Sequence, residues 1–248
     1  VTRRHYRPFI KTVGATLKAS AEVWGRDLLG RLTPADVDRI MGRWAAEIYQ
    51  YGEGTLQTFG ADAYEDARPT EDGAVGGRAY VVMSNHQSLL DVPSIVRTFP
   101  GRVRMVGKRE LGRLPVWGNA MKAAGVVFVD RRDRAQSIKA LERAKAQLQS
   151  GTSIWIAPEG TRSLDGELLP LKKGGFHVAM DLGVPIAPVW IEGTRHAVSP
   201  DSFGVRVGQH ITVHYGAPIA TVDVAMDALM EQVRQALLEL QRHAQRRA

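Results

Sequence analysis

Between residues 80 and 191, short apolar runs bounded by turn residues alternate with stretches at helical spacing, which restricts the chain to a sheet with helices packed on it. Tyr80 to Met83, Val103 to Val106, Val126 to Val129, Ser153 to Ala157 and Ile186 to Ile191 read as strands buried on both faces, the kind found in parallel sheets. Between them, Asp91 to Phe99, Val116 to Ala123, Arg134 to Gln149 and Gly175 to Leu182 read as helices. His210 to Tyr215 adds a last strand, and a helix from about Val222 carries Leu229, Val233, Leu237 and Leu240 on one face. The expected class is α/β, a mostly parallel central sheet flanked by helices.

Residues 1–60 follow another rule. Phe9, Ile10, Val13, Leu17, Trp24 and Leu28 share one helical arc, with Lys11, Lys18, Glu22 and Arg26 opposite. Thr33-Pro34-Ala35-Asp36 then reads as a helix start, with a hydroxyl cap, proline at the first helical position and an acid in the first turn. Val37, Ile40, Met41, Trp44 and Ile48 supply the apolar stripe of that second helix. The expected organisation is an amphipathic two-helix hairpin over 1–60 and an α/β domain over 61–248, with Gly60 to Arg78 as a linker or exposed loop.

The formal net charge of +7 favours an anionic partner: membrane phosphate, nucleic acid or a phosphorylated substrate. The basic residues are spread over strand ends and helix faces, without a recognition helix or stacking sheet, so nucleic acid ranks lowest among these. The absence of cysteine excludes disulfides, thiolate metal sites and a cysteine nucleophile, and is compatible with a reducing cytoplasm. No uncharged apolar run approaches the roughly 18 residues needed to cross a bilayer, and no secretory signal pattern opens the chain at Val1. A spanning segment is therefore not expected. A hairpin with one apolar and one mostly basic face instead has the composition of helices lying on an anionic bilayer surface, although packing of both apolar faces on the domain would explain it as well.

Two constellations can carry chemistry. Asn85-His86-Gln87-Ser88-Leu89-Leu90-Asp91 lies where a buried strand ends and a helix begins, the place where open α/β sheets build ligand sites. There His86 can take a proton from an alcohol near neutral pH, provided a carboxylate fixes its tautomer, and the spacing lets Asp91 return to the ring. Ala157-Pro158-Glu159-Gly160-Thr161-Arg162-Ser163 follows another strand, and its turn can present backbone N–H groups and a guanidinium to phosphate or carboxylate oxygens.

Lys108, Arg131 and the Lys172-Lys173-Gly174-Gly175 helix start occupy comparable positions after strands. A serine-hydrolase elbow, a Gly-x4-Gly-Lys phosphate loop, a zinc helix and a dinucleotide fingerprint are all absent from the sequence. Ser88 lacks the elbow that a nucleophilic serine would need.

Taken in order, these motifs resemble the glycerolipid acyltransferase family typified by lysophosphatidate acyltransferases. The resemblance rests on Asn85-His86 to Asp91, Lys108-x-Glu110-Leu111 with Pro115 and Gly118, and Phe128-Val129-Asp130-Arg131. It continues through Pro158-Glu159-Gly160-Thr161-Arg162-Ser163, Leu171-Lys172-Lys173-Gly174 and Val184-Pro185-Ile186-Ala187-Pro188-Val189. Ala157, Leu164 and Leu171 depart from residues common in the family without removing a group the chemistry needs.

The resemblance implies transfer of a fatty acyl group from acyl-CoA or acyl-carrier protein to the free hydroxyl of lysophosphatidic acid, with no metal, no cofactor and no covalent intermediate. His86 would be the base and Asp91 its partner. Asn85, Lys108, Arg131, Glu159, Gly160, Thr161, Arg162, Lys172 and Lys173 would bind the substrate; of these, Glu159, Gly160, Thr161 and Arg162 would help bind its phosphate, with Lys108 and Arg131 as further phosphate contacts. The expected location is the cytoplasmic face of the cell membrane, peripherally bound. The alternatives are a different acceptor (another lysophospholipid, an amino-acid lipid or glycerol phosphate) and a membrane-surface binding protein without turnover.

Overall fold

The computed structural model of the chain describes residues 6–71, 76–129, 134–198 and 204–246. Among the described residues, seven strands form one sheet: β1 (Thr55–Phe59), β2 (Val81–Ser84), β3 (Val103–Lys108), β4 (Val127–Val129), β5 (Ser153–Ile156), β6 (Ile186–Glu192) and β7 (His210–Tyr215). Their spatial order is β1-β7-β6-β2-β5-β3-β4, and every pairing is parallel except β6 with β7. The helices are α1 (Tyr6–Leu28), α2 (Pro34–Tyr51), α3 (Asp91–Thr98), α4 (Trp117–Ala123), α5 (Arg134–Gln149), α6 (Gly174–Leu182), α7 (Thr194–Ala197) and α8 (Met226–Gln245). The expected mostly parallel sheet with flanking helices is the fold observed.

The continuous apolar runs are explained by the two faces they serve. Along β2, Val81 and Met83 enter one core and Val82 the other; along β6, Ile186 and Trp190 enter the first, and Ala187, Val189 and Ile191 the second. The first core is closed by Phe176 of α6 and by Leu229, Val233 and Leu237 of α8, while Ile95 of α3 and Ile48 and Tyr49 of α2 close the second. With no solvent-facing side, the central strands show no polar alternation.

Two elements differ from the sequence reading. β1 lies inside the segment read as helical hairpin; it is a half-exposed edge strand with no apolar run, held by parallel pairing with β7 and by Phe59 stacked on His214. Part of the segment expected to be an exposed loop, Ala61–Ala67, is a 3-10 helix. Its Tyr64 is fully buried and donates to the Gly216 carbonyl at 2.7 Å. Ala67 is buried in the same core, and the acidic residues between these two anchors give the segment the composition of an exposed loop.

The start of α2 follows its sequence. Thr33 Oγ1 accepts the Asp36 N–H at 3.1 Å, Asp36 accepts the Thr33 N–H at 3.3 Å, and Pro34 opens the helix. Beneath it, Asp38 accepts from Arg102 at 2.9 Å and Arg104 at 2.7 Å, joining the helical pair to the buried start of β3.

α1 packs on α2 and α4 through a face on which Ala15, Ser20 and Val23 are buried. Ion pairs flank this face: Glu22 pairs with Arg43 and Arg39, and Lys18 pairs with Glu47 at 3.5 Å. Val23 and Trp24 pack with Val37 and Ile40 of α2 and Ala120 of α4. Tyr6, Ile10, Val13, Leu17 and Leu28, on the apolar arc, stay exposed. Among the described residues, no helix is long and apolar enough to cross a membrane.

Candidate active site

The parallel strands β2, β5 and β6 end together at one edge of the sheet, and the turns that leave them meet there. The turn after β2 carries His86 five positions before Asp91, the first residue of α3. Nδ1 of His86 lies 2.7 Å from Oδ2 of Asp91. That oxygen also accepts the N–H groups of Gln87 at 2.8 Å and Ser88 at 2.9 Å, so Asp91 is an acceptor and Nδ1 carries the proton. Nε2 is then the ring's basic atom. Asp91 is fully buried and the His86 side chain retains 20% exposure, which leaves the base reachable and its partner dry.

The backbone of this turn is fixed from several directions. The His86 N–H donates to Glu159 Oε1 at 2.7 Å, and the His86 carbonyl accepts from Ser163 N–H at 2.7 Å. Gln87 Nε2 donates to the Gly166 carbonyl at 3.2 Å, and Ser88 Oγ donates to the Val198 carbonyl at 2.7 Å. The Ser88 hydroxyl is therefore committed to the backbone and not offered to a substrate. Trp155 of β5 sets its ring edge-on to the imidazole, with centroids 5.6 Å apart.

Asn85 and Glu159 make their hydrogen bonds with the main chain. Asn85 exchanges two hydrogen bonds with the main chain of Ile191 in β6, donating at 2.9 Å and accepting at 2.8 Å. Glu159 accepts at both oxygens, from His86 N–H and, at 2.9 Å, from Leu169 N–H. Both side chains were expected at the substrate; both are buried, and these atoms are taken by backbone. Burial pushes the Glu159 carboxyl up to about 6, against the two N–H donors and His86, which favour its charge.

The rest of the turn is more open. Gly160 takes φ +74° and brings its N–H to the Ala157 carbonyl at 3.0 Å, Thr161 is exposed and Arg162 half-buried. Lys172 is exposed, with its N–H on the Pro158 carbonyl at 2.9 Å, so it stands beside this turn. Lys173 instead pairs with Asp227 of α8 at 3.0 Å. Lys108 is exposed at the end of β3, which pairs with β5. That places it about 10 Å from the β2 turn, two interstrand spacings away. Arg131 lies outside the described residues. Among the described residues, no group of three or more His, Asp or Glu could hold a metal ion.

One buried contact lay beyond the sequence reading. Thr194, the first residue of α7, donates from Oγ1 to Oδ1 of Asp91 at 2.6 Å. The available signal was a repeated tetrapeptide: Glu-Gly-Thr-Arg follows β5 at 159–162 and spans the end of β6 at 192–195.

The Acyltransferase family model matches residues 63–192. The chain is 33% identical over 169 residues to the 1-acyl-sn-glycerol-3-phosphate acyltransferase of Saccharomyces cerevisiae, covering 67% of this chain and 55% of that one. It is 36% identical over 163 residues to the human 1-acyl-sn-glycerol-3-phosphate acyltransferase alpha, covering 64% and 57%. The chain thus spans little more than half the length of these relatives. Its fold is similar to that of the 1-acyl-sn-glycerophosphate (LPA) acyltransferase PlsC from Thermotoga maritima, with a TM-score of 0.75 and 23% identity over 96% of each chain. The matched span of 63–192 contains His86, Asp91 and the Glu159 to Arg162 turn, and the chain belongs to the acyltransferase family.

Proposed function

We propose that the protein transfers a fatty acyl group from a thioester, acyl-CoA or acyl-carrier protein, to the free hydroxyl of 1-acyl-glycerol-3-phosphate, giving phosphatidic acid. The observation that carries this reading is the His86–Asp91 pair at 2.7 Å, with the carboxylate buried and the imidazole partly exposed. The acceptor hydroxyl gives its proton to Nε2 of His86 as its oxygen attacks the thioester carbonyl. The imidazolium, steadied by Asp91, then returns that proton to the departing sulfur as the carbon–sulfur bond breaks. The chemistry needs no cofactor.

Thr161 and Arg162, on the turn that Gly160 shapes, with Lys172 beside them and Lys108 at the next strand end, supply the donors for the acceptor phosphate. Arg131 belongs to the same proposed set on the family resemblance. The relatives named as 1-acyl-sn-glycerol-3-phosphate acyltransferases favour lysophosphatidic acid over other lysolipids.

The exposed apolar side chains of α1 support peripheral attachment to the cytoplasmic face of a membrane, from which lysolipid could enter the site. A radiolabelled acyl-CoA assay against a panel of lysolipids, with wild type and His86→Ala, tests the reading. Turnover on lysophosphatidic acid that falls at least about a hundredfold in His86→Ala is expected; undiminished turnover in the variant would remove His86 from the base role.

A further inference from the structure

The Asp91 carboxylate receives three donors on Oδ2, whereas among the described residues Oδ1 accepts from Thr194. Both residues are fully buried, so water cannot replace that donor without opening the core. The backbone builds the contact deliberately. Gly193 takes φ +88°, and a Cβ there would meet the His210 carbonyl oxygen at 2.3 Å, so only glycine allows the chain to leave β6 and turn Thr194 onto Asp91.

The two Glu-Gly-Thr-Arg tetrapeptides divide the work in opposite ways. In the first, the glutamate is buried against the His86 backbone and Thr161 is exposed; in the second, the threonine is buried and Glu192 is half-buried, holding Trp190 Nε1 at 3.0 Å.

We propose that Thr194 is a positioning residue, whose hydroxyl fixes the rotation of the Asp91 carboxylate and, through it, the tautomer and aim of His86. The inference rests on the proposed role of His86 as base. A buried carboxylate that keeps one well-bonded oxygen and loses the donor on the other concentrates its charge, rotates, and holds the imidazole less uniquely. The titratable groups that face it are His86 on the same turn, Glu159 from the turn after β5 and Tyr49 from α2.

The test compares wild type, Thr194→Val and Thr194→Ser by steady-state kinetics over pH and by the NMR signal of the imidazole Nδ1–H, assigned by its loss in His86→Ala. Thr194→Val should lower kcat about 10- to 100-fold with KM changed less than about threefold, and should move the acid limb of kcat/KM to higher pH. Its Nδ1–H signal should shift or broaden, and Thr194→Ser should restore both. Should the valine variant fail to fold, Thr194→Ala carries the same comparison. A variant with lower thermal stability but an unchanged pH profile and unchanged Nδ1–H signal would overturn the proposal, leaving Thr194 a packing residue. The NMR measurement needs no turnover, so failure of the acyltransferase reading and failure of the positioning role are separable.

Discussion

Oε1 of Glu159 accepts the backbone N–H of His86 at 2.7 Å while Oε2 accepts that of Leu169 at 2.9 Å, so one carboxylate ties the base-bearing turn to the loop after β5. An amide in its place would point hydrogens at one of these N–H groups. Glu159→Gln should therefore cut kcat by at least about tenfold, a loss read by steady-state assay at saturating acceptor.

The same carboxyl makes stability depend on pH. Burial raises it from 4.5 to about 6, so the folded protein holds this proton more tightly than the unfolded chain. Its contribution is fully present below pH 4.5 and is lost as pH rises through about 6. Chemical denaturation at steps between those values should show this component in wild type and its absence in Glu159→Gln.

Asp91→Asn should keep the turn folded but place an amide where Nδ1–H needs an acceptor, favouring the wrong imidazole tautomer. A loss of about 10²- to 10⁴-fold in kcat is expected, with KM for the acceptor changed far less. The pH–rate profile and KM together check it.

Asn85→Ala removes both hydrogen bonds to Ile191 and leaves the main-chain donor and acceptor of a fully buried residue unpaired. A destabilisation of about 2–4 kcal/mol follows from two unsatisfied buried groups. The measurement is the denaturation midpoint, and activity per folded molecule should fall less steeply than in the His86 or Asp91 variants.

Replacing Ile10 and Leu17 together by serine should leave the denaturation midpoint nearly unchanged, because both side chains are exposed and outside the core clusters. Co-sedimentation with vesicles of anionic phospholipid should fall by at least about tenfold, since each lost apolar side chain forfeits about 1.5–3 kcal/mol of burial in the bilayer interface. Undiminished sedimentation would move the docking surface away from α1.

The sequence by itself determined the architecture between β2 and β6, the cap of α2 and the positions of both chemical turns. Local rules suffice there: strands buried on both faces must be apolar throughout, and a hydroxyl, a proline and an acid in order start a helix. Tertiary structure alone decided what the polar side chains of those turns do. Asn85, Glu159 and Thr194 find their partners 106, 73 and 103 positions away, and strand order is what brings those partners within reach. It also decided which part of α1 is covered: Val23 and Trp24 pack with Val37 and Ile40 of α2, while Ile10, Val13 and Leu17 of the apolar arc stay exposed. A helical repeat tells which residues share a face, but the neighbour decides which face is covered.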